Sequence, residues 1–226
     1  MNLREIQARL AELGFDPGPI DGVRGPKTDA AVVAFKKSVG LRPRPYIGPI
    51  TLEALFGDDL DHVRDADIPW MAEASRMRGL HEARDTSRLR AWFDRSVSWI
   101  DPREVPWCGA FCATVMRKWE SDIALPENPL GARNWMKFGA ATQPVFGSIV
   151  VFWRGSKSGW QGHVGFYHAE DDAAFHVLGG NQSNAVTVTR IGKERLLGAR
   201  WPKGVAMDSR PVQVRSDGTP LSHNEA

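Results

Sequence analysis

Cysteine is nearly missing from this 226-residue chain, which has two, Cys108 and Cys112. At that spacing on one helix they cannot make a redox CxxC pair, and two are too few for a disulfide framework or a cysteine-based zinc site. Such usage suits a reducing compartment. Long apolar runs are missing as well. No window approaches the roughly 20 apolar residues of a membrane span, so no membrane insertion is expected. The start, Met1-Asn2-Leu3-Arg4-Glu5, lacks the apolar core of a signal peptide, and synthesis in the cytoplasm is expected. Excess charge of either sign is also missing: 29 basic residues against 27 acidic leave a net charge of +2. Bulk charge therefore gives no support to a nucleic-acid partner. Neither HxH nor HExxH spacing occurs. What is present is apolar material, 42% of residues, enough for one or two domains with sizeable cores.

Leu3, Ile6, Leu10 and Leu13 recur at helical spacing and stop before Gly14, predicting a first amphipathic helix. A turn phrase follows, Asp16-Pro17-Gly18-Pro19-Ile20-Asp21-Gly22-Val23-Arg24-Gly25-Pro26, and Pro26 suits the first position of a second helix that stops at Gly40. The phrase then returns: Gly48-Pro49-Ile50-Thr51 echoes Gly25-Pro26-Lys27-Thr28, and a third helix through Leu52, Leu55 and Phe56 ends at Gly57. Taken singly, these glycines and prolines only set turns. Taken together with Ile6, Leu10, Leu13-Gly14-Phe15, Pro19-Ile20-Asp21-Gly22, Ala31, Ala34-Phe35 and Gly40-Leu41, the three-helix unit of residues 1–57 resembles the peptidoglycan-binding repeat of cell-wall hydrolases. The resemblance implies bacterial cell-wall peptidoglycan as partner, with a ligand region around Asp21, Arg24, Thr28 and Tyr46.

Residues 58–68 turn acidic (Asp58, Asp59, Asp61, Asp65, Asp67) and lose the apolar period, which reads as a linker. Helices are predicted at Pro69 to Arg78, about Ser87 to Val97, from Cys108 onward, and near Gly131 to Phe138. Five β-like runs follow: Gly147 to Trp153, His163 to Ala169, Ala174 to Leu178, Ala185 to Ile191, and Leu196 to Trp201. Helices first and an antiparallel five-stranded sheet afterwards is an α+β plan over residues 69–203. The polar, aperiodic residues 204–226 are expected to be disordered.

Within that second domain, Val105-Pro106-Trp107 leads into Cys108 at the first turn of a helix, with Phe111, Cys112, Val115 and Trp119 on one stripe. The positive end of a helix favours thiolate, the reactive form of cysteine. Small core residues are the ordinary fate of free cysteines, and Cys112 is read that way. His163 lies in Gly162-His163-Val164-Gly165-Phe166-Tyr167, where alternation sets His163, Gly165 and Tyr167 on one face. A glycine beside the histidine leaves room for the cysteine helix to cross that face. Downstream, Gly179-Gly180-Asn181-Gln182 ends the next strand with amides able to orient an imidazole. Nucleophile, base and orienter then stand in chain order.

With Trp107-Cys108-x-x-Phe111, Gly147 to Phe152, Gly162-His163-Val164-Gly165 and Gly179-Gly180-Asn181-Gln182 in view, residues Ile68 to Pro202 resemble the CHAP and NlpC/P60 type of papain-like peptidoglycan hydrolases. Ser148 departs from that pattern, where many relatives have aspartate, and Gly179 stands where many have glutamate. The resemblance implies catalytic Cys108, His163 and Asn181, with Gln182 and Asn184 as other amides within the same stretch. It also implies cleavage of an amide bond of the peptide stem, no cofactor, no metal and a monomer, as in phage endolysins released through a holin-like pore or a phage-like particle. Trp107, Trp153, Trp160 and Tyr167 are candidates for a substrate groove, although tryptophans flanking strands are more often core. Two rival readings stand beside this. A metal-dependent hydrolase would use His163, His168 and His176 with Asp171 and Asp172, but strand alternation puts His163 and His168 on opposite faces. A non-catalytic wall-binding or structural tail protein would merely fold around the same motifs.

Overall fold

The structure is a computed structural model and describes residues 3–56, 68–207, 209–214, 216, 218–222 and 225. The chain divides into two compact units, Met1–Asp67 and Ile68–Ala226. The acidic stretch expected as a linker lies, except for Ile68, outside the described residues.

In the first unit, α1 (Leu3–Glu12), α2 (Pro26–Ser38) and α3 (Pro49–Phe56) enclose Ile6, Leu10, Ala31, Val32, Phe35, Leu55 and Phe56. The doubled phrase has a local cause. In each copy proline takes the first helical position, where its missing N–H costs nothing, and the threonine two residues on (Thr28, Thr51) is buried. Gln7, on the inward face of α1, pins the intervening turn: its Nε2 donates to Val23 O (3.0 Å) and Thr28 Oγ1 (3.2 Å), and its Oε1 accepts from Gly22 N (2.8 Å). A buried glutamine is tolerated because all these bonds are made.

The second unit is α+β. Helices α4 (Pro69–Arg76), α5 (Thr86–Trp92) and α6 (Cys108–Trp119) precede a 3-10 turn (Ala132–Lys137) and then β1 (Ala140–Thr142), β2 (Ile149–Trp153), β3 (Gly162–Glu170), β4 (Ala174–Gln182), β5 (Ala185–Gly192) and β6 (Leu196–Trp201). All pairings are antiparallel, in the order β1-β6-β2-β3-β4-β5. The sheet thus has six strands where five were expected. The extra one, Ala-Ala-Thr, has no apolar alternation of its own and exists because Ala140 to Thr142 pair with Trp201 to Ala199. The short helix expected near Gly131 is a 3-10 turn.

Helix α6 is buried on nearly every side from Cys108 to Met116, which explains its apolar, small-residue sequence. Phe111 meets Phe166 of β3 and Trp92 of α5. Truncating so central an aromatic to alanine costs about 3–5 kcal/mol. Gly180 of β4 permits the contact: a Cβ there would lie 2.5 Å from the Trp107 ring and 2.7 Å from Phe111 Cβ. The helix therefore covers the Phe166 face of β3, not the His163, Gly165 and Tyr167 face expected to receive it. Gly165 instead makes room for the neighbouring strand, since a Cβ there would meet Val177 Cγ1 at 2.5 Å.

The C-terminal segment, expected to be disordered, is laid along the second unit in its described residues. Val212 O accepts from Glu170 N (2.7 Å) and Val214 N donates to Glu170 O (2.8 Å). Ser222 N donates to Arg190 O (2.8 Å), and Glu225 is buried. Composition gives a polar chain no reason to fold alone, but backbone groups of the sheet edge and turns supply partners that composition does not reveal.

Candidate functional site

Cys108 is the first residue of α6, and Trp107 precedes it without any side-chain cap. Backbone N–H groups of Val164, Gly109 and Cys108 itself are directed at the thiol. The sulfur thus reaches the plane of the sheet, at the His163–Val164 peptide, from the opposite face. On the other side of that peptide, His163 is 1% exposed and its Nε2 lies 3.0 Å from Gln182 Oε1. The orientation of the Gln182 amide is fixed, because its Nε2 donates to Val177 O (3.1 Å), Thr187 O (2.6 Å) and Thr187 Oγ1 (3.2 Å). Its oxygen can only accept, so His163 Nε2 carries the proton and Nδ1 keeps its lone pair.

The expected orienter was Asn181, but the amide hydrogen-bonded to His163 is that of Gln182. Strand alternation carries the His163-facing phase from Gly179 to Asn181. Asn181, however, has φ 57°, and the pairing with β5 shifts register between Gly179 and Gln182. A left-handed residue in a bulge breaks the two-residue alternation. The amide that then faces His163 is Gln182, whose Oε1 would lie 2.9 Å from a Cβ on Gly179. Ser183 and Asn184, both at positive φ (51° and 63°), form the two-residue turn that closes Gln182 onto Ala185. Asn184 is therefore turn chemistry.

Burial dominates the electrostatics. It pushes the Cys108 thiol above its ordinary range, against the Val164 and Gly109 N–H groups and the Arg154 charge. It pushes His163 from 6.5 down to about 4, with the Glu225 charge and the Gln182 bond working the other way. The resting pair is thus a neutral thiol and a neutral imidazole. The helix N-terminus does not outweigh desolvation here, contrary to the thiolate expected from sequence. Cys112, one turn on, is raised further by burial and is a core residue.

Of the groove candidates, Trp107 and Tyr167 are fully buried and cannot touch a ligand. Trp107 Nε1 donates to Glu82 Oε2 (2.9 Å), and the Tyr167 hydroxyl accepts from Val212 N (3.0 Å). Trp153 is half-buried, with the Arg195 guanidinium over its ring at 5.8 Å, and Trp160 is 85% exposed. Ser148 is structural, its Oγ accepting from Val145 N (3.1 Å). His176 belongs to a different cluster from His163: Asp171 accepts from Arg190 Nε and sits against His176 Nε2, both at 2.8 Å. Burial opposes the Asp171 charge, yet Arg190, His176 and backbone N–H groups hold its pKa well below the usual carboxylate range. A guanidinium already fills the place a cation would take. Among the described residues no group of His, Cys, Asp or Glu converges as a metal site requires.

In the first unit Thr28 is 1% exposed and donates to Pro17 O (2.9 Å), so it supports the turn and is not free to bind. Asp21 likewise holds its turn, accepting from Val23 N (2.8 Å), but stays exposed. Arg24 joins Asp29 (2.7 Å) and reaches Pro45 O, bringing the loop of the exposed Tyr46 beside it.

Three charged residues near His163 had no motif to mark them: Arg154, Arg195 and Glu225. Glu225 is 1% exposed and takes a two-pronged ion pair from Arg195, 2.7 Å from Nη1 to Oε1 and 2.9 Å from Nη2 to Oε2. Arg154 Nε stands 3.8 Å from the same carboxylate. Burial opposes ionisation of Glu225 and the Arg195 fork overcomes it, leaving its pKa below the ordinary value.

Residues 2–55 match the family model of a peptidoglycan binding domain, which places such a domain at the N-terminus. No curated protein and no solved structure matches the chain.

Proposed function

We infer that the chain is a cell-wall hydrolase that cuts an amide bond of the peptidoglycan stem, with the first unit holding it on the polymer. Cys108 is the nucleophile, His163 the base and Gln182 the positioning residue. The observation that supports this best is the Gln182–His163 bond, in which every hydrogen bond of the amide is committed. It leaves Nδ1 as the basic nitrogen of the imidazole, one residue from the Val164 N–H that favours the charged form of the thiol. The peptidoglycan-binding match of residues 2–55 supports peptidoglycan as the polymer acted on.

Because both groups rest neutral, the reaction starts with proton transfer. The thiol and the imidazole rest on opposite sides of the His163–Val164 peptide, so the step requires the start of β3 at Gly162 to shift and bring them together. His163 then takes the thiol proton as Cys108 Sγ attacks the amide carbonyl, and the resulting imidazolium returns it to the departing amine. Water, deprotonated by the same imidazole, then hydrolyses the thioacyl intermediate. Backbone N–H groups at the start of α6 stabilise the oxyanion, each well-placed donor contributing about 3 kcal/mol. Desolvation makes the ion pair costly before substrate arrives, and developing charge on the carbonyl oxygen is what the helix end offsets.

Wall digestion with and without additives tests the reading. Hydrolysis blocked by iodoacetamide and indifferent to EDTA is expected. EDTA sensitivity would select the metal-dependent alternative, and absence of any hydrolysis with wall binding retained would select a binding protein. Mass spectrometry of the products identifies the bond, since freed lactyl groups mark an amidase and new stem amino groups an endopeptidase.

A further inference from the structure

We propose that Arg154 and Arg195 form a carboxylate-binding subsite beside Cys108 and His163, and that Glu225 occupies it as an internal stand-in for a free carboxylate of the substrate. This rests on the reading of Cys108 and His163 as the reacting pair. It adds which amides are taken: those of a peptide carrying a free carboxylate close to the bond that is cut.

A carboxylate at 1% exposure survives only when its charge is met, and Glu225 is met by the Arg195 fork at 2.7 and 2.9 Å and by Arg154 at 3.8 Å. The fork does not depend on Glu225 for its position. Arg195 is 6% exposed, donates from Nε to Trp153 O (3.1 Å) and lies over the Trp153 ring, so the end of β2 holds it. With Glu225 withdrawn, the buried fork of Arg195 would face space without its anion, which is costly.

Proximity to the imidazole follows from the register: Phe152 and Trp153 pair with His163 and Gly162, so Arg154 and the Arg195 held on Trp153 O stand at that end of β3, and the charges of Glu225, Arg154 and Arg195 all act on His163. The described residues that lead to Glu225 lie at the surface. Of residues 218–222, Gly218, Thr219 and Pro220 are exposed and Leu221 and Ser222 half-buried. Ties of these residues include Ser222 N to Arg190 O, Arg195 Nη1 to Ser222 O, and Arg190 to Thr219 O. Among the described residues of this segment Glu225 is the one that is deeply buried, so a ligand that brings its own carboxylate can exchange with it.

The test is calorimetric titration of the full-length chain bearing Cys108→Ala, which holds a peptide uncut. One probe is an acetylated stem tetrapeptide with its carboxylates free, the other the same peptide with every carboxylate converted to carboxamide. Adding Glu225→Gln, which keeps shape and removes charge, should tighten the free-carboxylate probe about tenfold, the scale of one charge-assisted hydrogen bond, and leave the amidated probe unmoved. Arg154→Gln leaves the Arg195 fork intact and should weaken only the free-carboxylate probe. It also carries the test should Glu225→Gln fail to fold. Equal affinity for the two probes, or Arg154→Gln without effect, overturns the subsite. Turnover of soluble muropeptides by the chain with Cys108 intact reads the hydrolase assignment separately. Carboxylate-dependent binding without cleavage removes that assignment and keeps the subsite, whereas cleavage without carboxylate preference does the reverse.

Discussion

Gln182→Met keeps the volume of a side chain that is 1% exposed while deleting its bonds to His163 Nε2, Val177 O and Thr187 O. A buried polar group left without a partner costs about 1–3 kcal/mol, and the two carbonyls each keep a second lone pair for other donors. The expected loss of stability is therefore about 2–4 kcal/mol, dominated by the imidazole N–H. The kinetic effect has a different origin. Without Oε1 nothing holds the proton on Nε2, so the base at Nδ1 is lost in part of the population, and the rate should fall between about ten- and a thousandfold. Soluble muropeptide turnover gives kcat/KM, and urea denaturation run in parallel gives stability. Nitrogen NMR of the His163 ring reads the tautomer even where turnover is weak. Asn181→Gly is the matched control, because glycine accepts the φ of 57° at that position and removes only the amide. It should stay close to the parent rate. A larger loss for Asn181→Gly than for Gln182→Met, or an unchanged ring tautomer in Gln182→Met, would refute the assignment.

Cys108→Ala should abolish wall hydrolysis and leave folding and wall binding intact, with residual lysis above a few per cent counting against the nucleophile. Cys112→Ala removes one sulfur from a fully buried mid-helix position, and should cost about 1 kcal/mol or less by denaturation while keeping activity. His163 binds its proton less readily folded (about 4) than unfolded (6.5), so the stability it contributes is present above pH 6.5 and lost as pH falls toward 4, about 3 kcal/mol in all. Denaturation of parent and His163→Gln at pH 7 and pH 4 checks this, and an identical pH slope in both would contradict it. Removing residues 1–67 should weaken retention on insoluble wall and spare turnover of soluble fragments, since tethering raises local concentration without touching the chemistry. Equal losses on both substrates would overturn that division of labour.

Local chemistry made much of this protein legible before any coordinates. Leu3 to Leu13, the two Gly-Pro-x-Thr phrases and the stripe from Phe111 to Trp119 place helices where they occur, because helical period and proline at the first turn are properties of a few adjacent residues. The β runs from Ile149 onward were visible for the same reason. What depended on partners far along the chain was not. β1 has no pattern of its own and becomes a strand only through β6. Asn181 read as the orienter because it follows Gly179-Gly180 and stands at the asparagine position of the family it resembles, and the bulge that turns Gln182 toward His163 instead comes from how β4 meets β5. The helix face was misjudged because glycines at 165 and 180 each permit close approach, and only the packed sheet decides which neighbour uses which gap. Arg154, Arg195 and Glu225 are ordinary surface residue types in sequence. The burial of Arg195 and Glu225 near His163 is a matter of packing, and the neutral thiol and imidazole are set by desolvation, which depends on everything that surrounds a group in space and not on its neighbours in the chain.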